Sequence, residues 1–332
     1  MRLWTGYGEN KRDRLVTRLL EYHGKLSPKQ YFTKRTQITN TLNDYIFSIH
    51  YNTGKPKTLI ILHGYGGSGA MFYKYFKPLS TSFNIIALDL RGTGLSGRSN
   101  IKLNTTEQYE KYFIEAIDDF VSKEKIFRFT ILGHSLGGYI AALYADKYPD
   151  KIDRAVLLSP VGFSVVDPDE IARIEGHVNK IKFPAKILFK KLKNAWQSGV
   201  SPLSYLRVLG RFSGFFFKKY KSYIAIENKV EANDYCDLIY QINVQKPCSD
   251  GCLGKLISLK GYGINALEKR VKLPEGTLFI RGDKDWVDSE GIERYIQRDP
   301  SCKLCVIPKE GHNLNIKSVD YVVNMMRFEG IL

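Results

Sequence analysis

Ser135 stands in Gly133-His134-Ser135-Leu136-Gly137, a Gly-x-Ser-x-Gly stretch with the apolar run Phe129 to Leu132 before it and a helical pattern after it. A serine hydroxyl is a poor nucleophile until a base is held beside it and the path of attack is open. A tight strand-to-helix turn opens that path by lifting the serine above a sheet, and it strains the serine's backbone. Strand and helix can close on each other only if the flanking residues are small, which Gly133 and Gly137 supply. A helix starting at Leu136 aims free N–H groups at any negative charge forming nearby. The chemistry within reach of such residues is nucleophilic attack on an acyl carbonyl.

That chemistry needs a base, an acid behind it and donors for the oxyanion. Of the six histidines (His23, His50, His63, His134, His177 and His312), only His177 and His312 follow Ser135, and only His312 follows an expected strand end. Three carboxylates, Asp283, Asp285 and Asp288, compete to orient the imidazole. Asp285 is favoured because it lies past a strand end, where it can turn toward the His312 loop, while Asp283 suits a turn cap. For the oxyanion, Leu136 offers its N–H as the residue after the serine. Tyr65 is the second choice, since it follows His63-Gly64 at the end of another strand. His63 reads as a hydrogen-bonder for its own loop and Asp89 as a structural carboxylate. The glycines from Gly64 to Gly69 fit neither phosphate-binding spacing, so nucleotide binding is set aside.

These residues must be carried by a scaffold that brings strand ends to one rim. Strand-like runs are expected at 45–51, 58–62, 84–88, 129–132, 155–158, 277–280 and 303–307, and helical patterns at 71–79, 106–122, 136–147, 291–297 and 319–328. Short apolar strands alternating with helices imply a parallel sheet covered on both faces. The alternation breaks near Pro160. The expected organisation is a basic segment at 1–35, a core at 36–160, a mainly helical cap at 161–270 and the rest of the core at 271–332.

The 332 residues are 43% hydrophobic, enough for one large α/β domain with an insertion. No apolar run reaches the roughly 18 residues of a membrane helix, and the first residues lack the apolar core of a secretory signal. A basic amphipathic pattern at Arg12, Arg14 and Arg18 is interrupted by Glu9, Asp13 and Glu21, which disfavours a mitochondrial transit peptide. Five cysteines argue against a disulfide framework, and Cys302-x-x-Cys305 has no second pair with which to hold a metal. Neither metal nor cofactor is expected, and an intracellular site, cytoplasmic or mitochondrial, is.

The net charge of +16 sits in two blocks. Residues 1–35 carry nine Lys/Arg against three acids, and residues 181–230 carry eleven against Glu227 alone. The second block holds a basic amphipathic helix pattern from Pro184 to Trp196, and Phe215-Phe216-Phe217 followed by Lys218-Lys219. Lysines among rings suit an anionic membrane surface better than nucleic acid. The competing reading is a cap whose phenylalanines are buried and whose lysines are solvated.

From His63-Gly64 to the C-terminus the sequence resembles the α/β-hydrolase fold, with its triad in the order Ser135, Asp285, His312. Within that superfamily it is similar to the phospholipid-acting group of N-acyl-phosphatidylethanolamine lipase, the lipid-droplet lipase coactivator and the fungal cardiolipin-specific phospholipase. The similarity rests on His63-Gly64-Tyr65-Gly66 with Phe72 to Phe76, on Gly133 to Tyr139 with Tyr148-Pro149, on Asn265 to Arg270 and on Gly282 to Asp288. It implies a mostly parallel twisted sheet with a helical cap, and a lipase or phospholipase that removes an acyl chain from a glycerophospholipid or lysophospholipid. The coactivator lacks the serine that this chain has at Ser135. Some members carry an acid five residues past the histidine, in a motif linked to lysophospholipid acyl transfer, where this chain has Lys317. A non-catalytic lipid-binding protein and a soluble esterase or peptidase are the alternatives.

Overall fold

The computed structural model describes residues 8–169, 200–209 and 226–332, together with Asn194 and Ile224. Apart from Asn194, the basic helix expected at 184–196 lies outside the described residues, as do the Phe215 to Lys219 cluster and His177.

Eight strands form one sheet in the order β1-β2-β4-β3-β5-β6-β7-β8. They are β1 (Tyr31–Gln37), β2 (Tyr45–Tyr51), β3 (Lys57–Leu62), β4 (Phe83–Leu88), β5 (Phe129–His134), β6 (Ile152–Leu158), β7 (Leu278–Gly282) and β8 (Lys303–Ile307). β1 and β2 run antiparallel to their neighbours, and all other pairings are parallel. The central strands read as unbroken apolar runs because both faces are covered. On β3, Leu59 and Ile61 enter one core, while Ile60 and Leu62 enter the other. All four are 0% exposed, and each such burial stabilises by roughly 1.5–3 kcal/mol.

One face is covered by α3 (Thr106–Lys123) and α4 (Leu136–Lys147), with Ile292 and Tyr295 of α7 (Glu290–Arg298). A capping box at Thr105 and Gln108 sets the start of α3. The other face takes α1 (Glu9–Thr17), α2 (Tyr73–Leu79) and α8 (Val319–Phe328). Between β6 and β7, among the described residues, no strand joins the sheet. This stretch contributes α5 (Pro202–Leu209), α6 (Lys229–Asn243) and short helical turns. No helix of the described residues is long and apolar enough to cross a membrane.

The N-terminal residues differ from the sequence reading. α1 and the π-helical turn Arg18–His23 bury Leu15, Val16, Leu19 and Leu20, and β1 adds an edge strand. β1 escapes detection because it has no apolar face: Phe32 is 51% exposed and only Thr36 is buried. Two of the cations in the basic blocks are also buried, Arg12 and Arg207.

Candidate active site

Ser135 sits between β5 and α4 with φ 56° and ψ −116°, a backbone region that costs a non-glycine residue stability. Its N–H bonds to Leu158 O at 2.9 Å, which locks the turn to β6. A Cβ on Gly133 would lie 2.3 Å from Gly137 O, and one on Gly137 would lie 2.4 Å from Leu62 O. Backbone atoms cannot yield to such contacts, so both positions need glycine.

The ends of β7 and β8 are fastened to each other. Lys284 N–H donates to Glu310 O at 2.8 Å and Asp283 N–H to Ile307 O at 3.0 Å, while a Cβ on Gly282 would lie 2.1 Å from Glu310 O. This contact brings the Asp285 turn against the His312 loop. His312 Nδ1 lies 2.9 Å from Asp285 Oδ1, and His312 Nε2 lies 2.9 Å from Ser135 Oγ. Burial pushes the Asp285 carboxyl up, but the bond to His312 and its charge outweigh that and hold it below its ordinary value. An ionised Asp285 accepts a hydrogen bond from Nδ1–H, which keeps the proton on Nδ1 and leaves Nε2 as the acceptor for the Ser135 hydroxyl. Asp283 and Asp288 stand outside this arrangement. Asp283 faces Lys284 Nζ at 3.8 Å, and Asp288 Oδ2 accepts from Glu290 N–H.

His134 is a site residue that the sequence reading passed over, although it stands in the serine motif itself. Its Nε2–H donates to His312 O at 2.7 Å, tying the base's backbone to the serine turn. Burial, followed by the neighbouring His312, holds its pKa down to about 3, so it stays neutral. His63 has the structural role expected of it: Nδ1–H donates to Gly64 O at 2.7 Å and Nε2 accepts from Leu90 N–H at 3.0 Å. Asp89 likewise accepts from Ser68 Oγ and from the N–H groups of Gly69 and Leu95.

Tyr65 and Leu136 line the same cavity as Ser135 and His312. A Cβ on Gly64 would lie 3.1 Å from Ser135 Cβ, so the backbone before Tyr65 passes directly over the serine. No described residue accepts from the Tyr65 or Leu136 amide. The cavity measures about 490 Å³ and is walled largely by Met71, Val161, Tyr235, Ile239, Leu253 and Ile257, with half-exposed Trp286 beside His312. Its size lies within the roughly 300–1,000 Å³ of small-molecule sites. The arrangement can pass a proton from Ser135 to His312 and offers an apolar slot next to the hydroxyl.

Fold and motif together define an alpha/beta hydrolase: the model of the alpha/beta hydrolase fold family matches residues 57–319, and the chain belongs to that family. Among curated proteins it is 29% identical over 288 residues to a 1-acylglycerol-3-phosphate O-acyltransferase of Arabidopsis thaliana, covering 82% of this chain and 66% of that protein. It is 26% identical over 259 residues to the 1-acylglycerol-3-phosphate O-acyltransferase ABHD5 of Homo sapiens, covering 74% and 68%. The chain spans about two thirds of the length of such relatives, and 57% of one from Caenorhabditis elegans. Among solved structures, a bacterial membrane phospholipase A superposes with a TM-score of 0.66 at 17% identity, over 96% of this chain and 91% of that one. At that identity the likeness speaks for the fold.

Proposed function

We propose that the chain is a serine ester hydrolase of the lipase or phospholipase kind, acting on a membrane glycerophospholipid or lysophospholipid. One observation carries this reading: Ser135 Oγ and His312 Nε2 are 2.9 Å apart within an apolar cavity, with Asp285 behind the imidazole. His312 takes the hydroxyl proton as Ser135 attacks the acyl carbonyl, and the amides of Leu136 and Tyr65 hold the oxyanion. His312 then gives the proton to the leaving alcohol. Water activated by the same imidazole splits the acyl-enzyme and frees the fatty acid. Side chains, two amides and water suffice for these steps. The lipid character of the substrate draws support from the cavity lining and from relatives named for acylglycerol phosphate chemistry.

Those names also favour a second reading, in which the acyl-enzyme is discharged to the hydroxyl of a lysophospholipid. Lys317, where the acyl-transfer motif has an acid, weighs against it. Mass spectrometry of mixed liposomes, with and without added lysophosphatidic acid, separates the two. Free fatty acid is expected with wild type and not with Ser135→Ala, whereas phosphatidic acid in its place would establish transfer. Failure of a fluorophosphonate to label Ser135 in folded wild type would leave a non-catalytic lipid-binding role. Attachment to anionic membranes rests on the charge of residues 181–230, so vesicle sedimentation should weaken as salt rises. Salt-independent behaviour would favour a soluble small-ester substrate.

A further inference from the structure

The Tyr65 side chain is tied down by the segment between β6 and β7. Its hydroxyl donates to Asp250 O at 2.8 Å and lies 2.6 Å from Ser201 Oγ. Since Tyr65 has one proton and spends it on Asp250 O, Ser201 is the donor of the second bond. Ser201 in turn accepts from Leu203 N–H at the start of α5. One residue on, Gly66 O accepts from Asn243 Nδ2 at 2.8 Å. Gly66 has φ 69°, a conformation that glycine reaches cheaply.

The partners of this loop are themselves locked together. Arg207 Nη1 donates to Asp250 Oδ2 at 2.6 Å, and Arg207 Nε reaches Asn243 O and Gln245 O at 3.1 and 3.0 Å. Asp250 Oδ1 accepts from Cys248 N–H. Both charges of the pair are almost wholly enclosed, with side-chain exposures of 6% and 5%. Breaking a buried pair costs far more than breaking an exposed one, so this pair is a stiff anchor. It holds Asp250, which holds the Tyr65 hydroxyl, and the carbonyl of Asn243, whose side chain holds Gly66 O. The peptide that carries the Tyr65 N–H is held at Gly64 O by His63 Nδ1–H and Gly67 N–H, and the segment between β6 and β7 adds two bonds beyond that amide, one at the Tyr65 hydroxyl and one at Gly66 O.

We infer that Tyr65 Oη, Asn243 and the Arg207–Asp250 pair are positioning residues for the oxyanion-binding amide of Tyr65. The inference rests on the hydrolase reading and adds that the segment between β6 and β7 sharpens the aim of one donor beyond what the His63 and Gly67 bonds to Gly64 O provide. An oxyanion donor acts on the transition state, so loosening it lowers kcat and leaves ground-state binding in place.

Tyr65→Phe deletes both hydroxyl bonds and keeps the ring, and Asn243→Ala deletes the bond to Gly66. The test measures kcat and KM on a soluble p-nitrophenyl ester, affinity for a trifluoromethyl ketone that forms a tetrahedral adduct on Ser135, and the melting temperature. Each variant should lose about tenfold in kcat and a similar factor in ketone affinity, with KM within about twofold and melting little changed. Wild-type kcat and ketone affinity in either folded variant would overturn the inference. So would a loss that appears only in KM, or only in step with unfolding. If wild type neither turns over the ester nor reacts with a fluorophosphonate, the hydrolase reading itself falls and takes this inference with it. Wild-type activity with unaffected variants removes only the inference.

Discussion

On one side of Ser135, Asp285 and His312 are held by strand ends that bond backbone to backbone, Lys284 to Glu310 and Asp283 to Ile307. On the other side, the Tyr65 loop is held at Gly64 O by His63 and Gly67 and, beyond that amide, by Ser201 Oγ, Asp250 O and the Asn243 side chain of the segment between β6 and β7. The first arrangement follows from the register of β7 and β8 and the backbone bonds at their ends. The second depends on individual polar contacts that can change without disturbing a strand. In the proposed mechanism the Ser135–His312–Asp285 relay and the Leu136 donor thus come with the strand ends, while the Tyr65 donor also depends on the segment between β6 and β7.

The largest expected effect probes the relay half. Asp285→Asn keeps the shape but favours the wrong imidazole tautomer, and kcat should fall by about 10³–10⁴ with KM nearly constant. A loss smaller than the one from Tyr65→Phe would invert the contrast. Stability should show the same asymmetry. A Cβ at Gly137 would lie 2.4 Å from Leu62 O and 2.6 Å from His63 O, so Gly137→Ala should cost about 3 kcal/mol in denaturant unfolding. At Gly66 the nearest atom to a new Cβ is Asn243 Nδ2 at 3.6 Å, so Gly66→Ala should cost only the positive-φ strain, about 1 kcal/mol. Equal costs would mean that the serine turn and the Tyr65 loop are equally rigid.

A further prediction, apart from catalysis, concerns acid stability. His134 and His50 have pKa values lowered from the ordinary 6.5 to about 3 and about 4, both mainly by burial. Between those values and 6.5 the unfolded chain binds protons that the folded chain refuses. Stability is therefore complete above pH 6.5 and declines as pH falls toward 4, by about 2 kcal/mol per histidine at pH 5. Urea midpoints at pH 7.5 and 5.0 should differ accordingly. His50→Gln, remote from the cavity, should shrink the difference while His134 keeps its share. A midpoint unchanged between the two pH values would contradict the burial argument.

The same division explains what could be read from the sequence. Ser135, Asp285 and His312 each follow a strand whose apolar run is visible, and β2, α4, β8 and α8 have the bounds that their patterns suggest. A local signal sufficed wherever a residue's place depends on its own strand. β1 gave none, since an edge strand exposed on both faces alternates nothing. α1 and the turn after it read only as a basic segment because their buried face is just Leu15, Val16, Leu19 and Leu20 amid charges. The bonds from Tyr65 to Ser201 and Asp250 span 136 and 185 positions. No spacing rule foretells a hydrogen bond between a loop and an insertion so far away. His134 was legible in part, for it stands inside the motif, but its partner is a backbone carbonyl, which leaves no trace in residue types.

The N-terminal elements bear on how the protein should be handled at the bench. A recombinant fragment beginning at residue 57, where the family match starts, would lack α1, β1 and β2. It would uncover Leu59 and Ile61 on the core that Leu19, Leu20 and Ile49 now fill, and would leave β4 as an open edge of unpaired amides. It would also lose Arg18 and His23, which both reach Asp234 on α6. A fragment cut at the family boundary is therefore expected to aggregate on purification, and any shortened version should keep α1, β1 and β2.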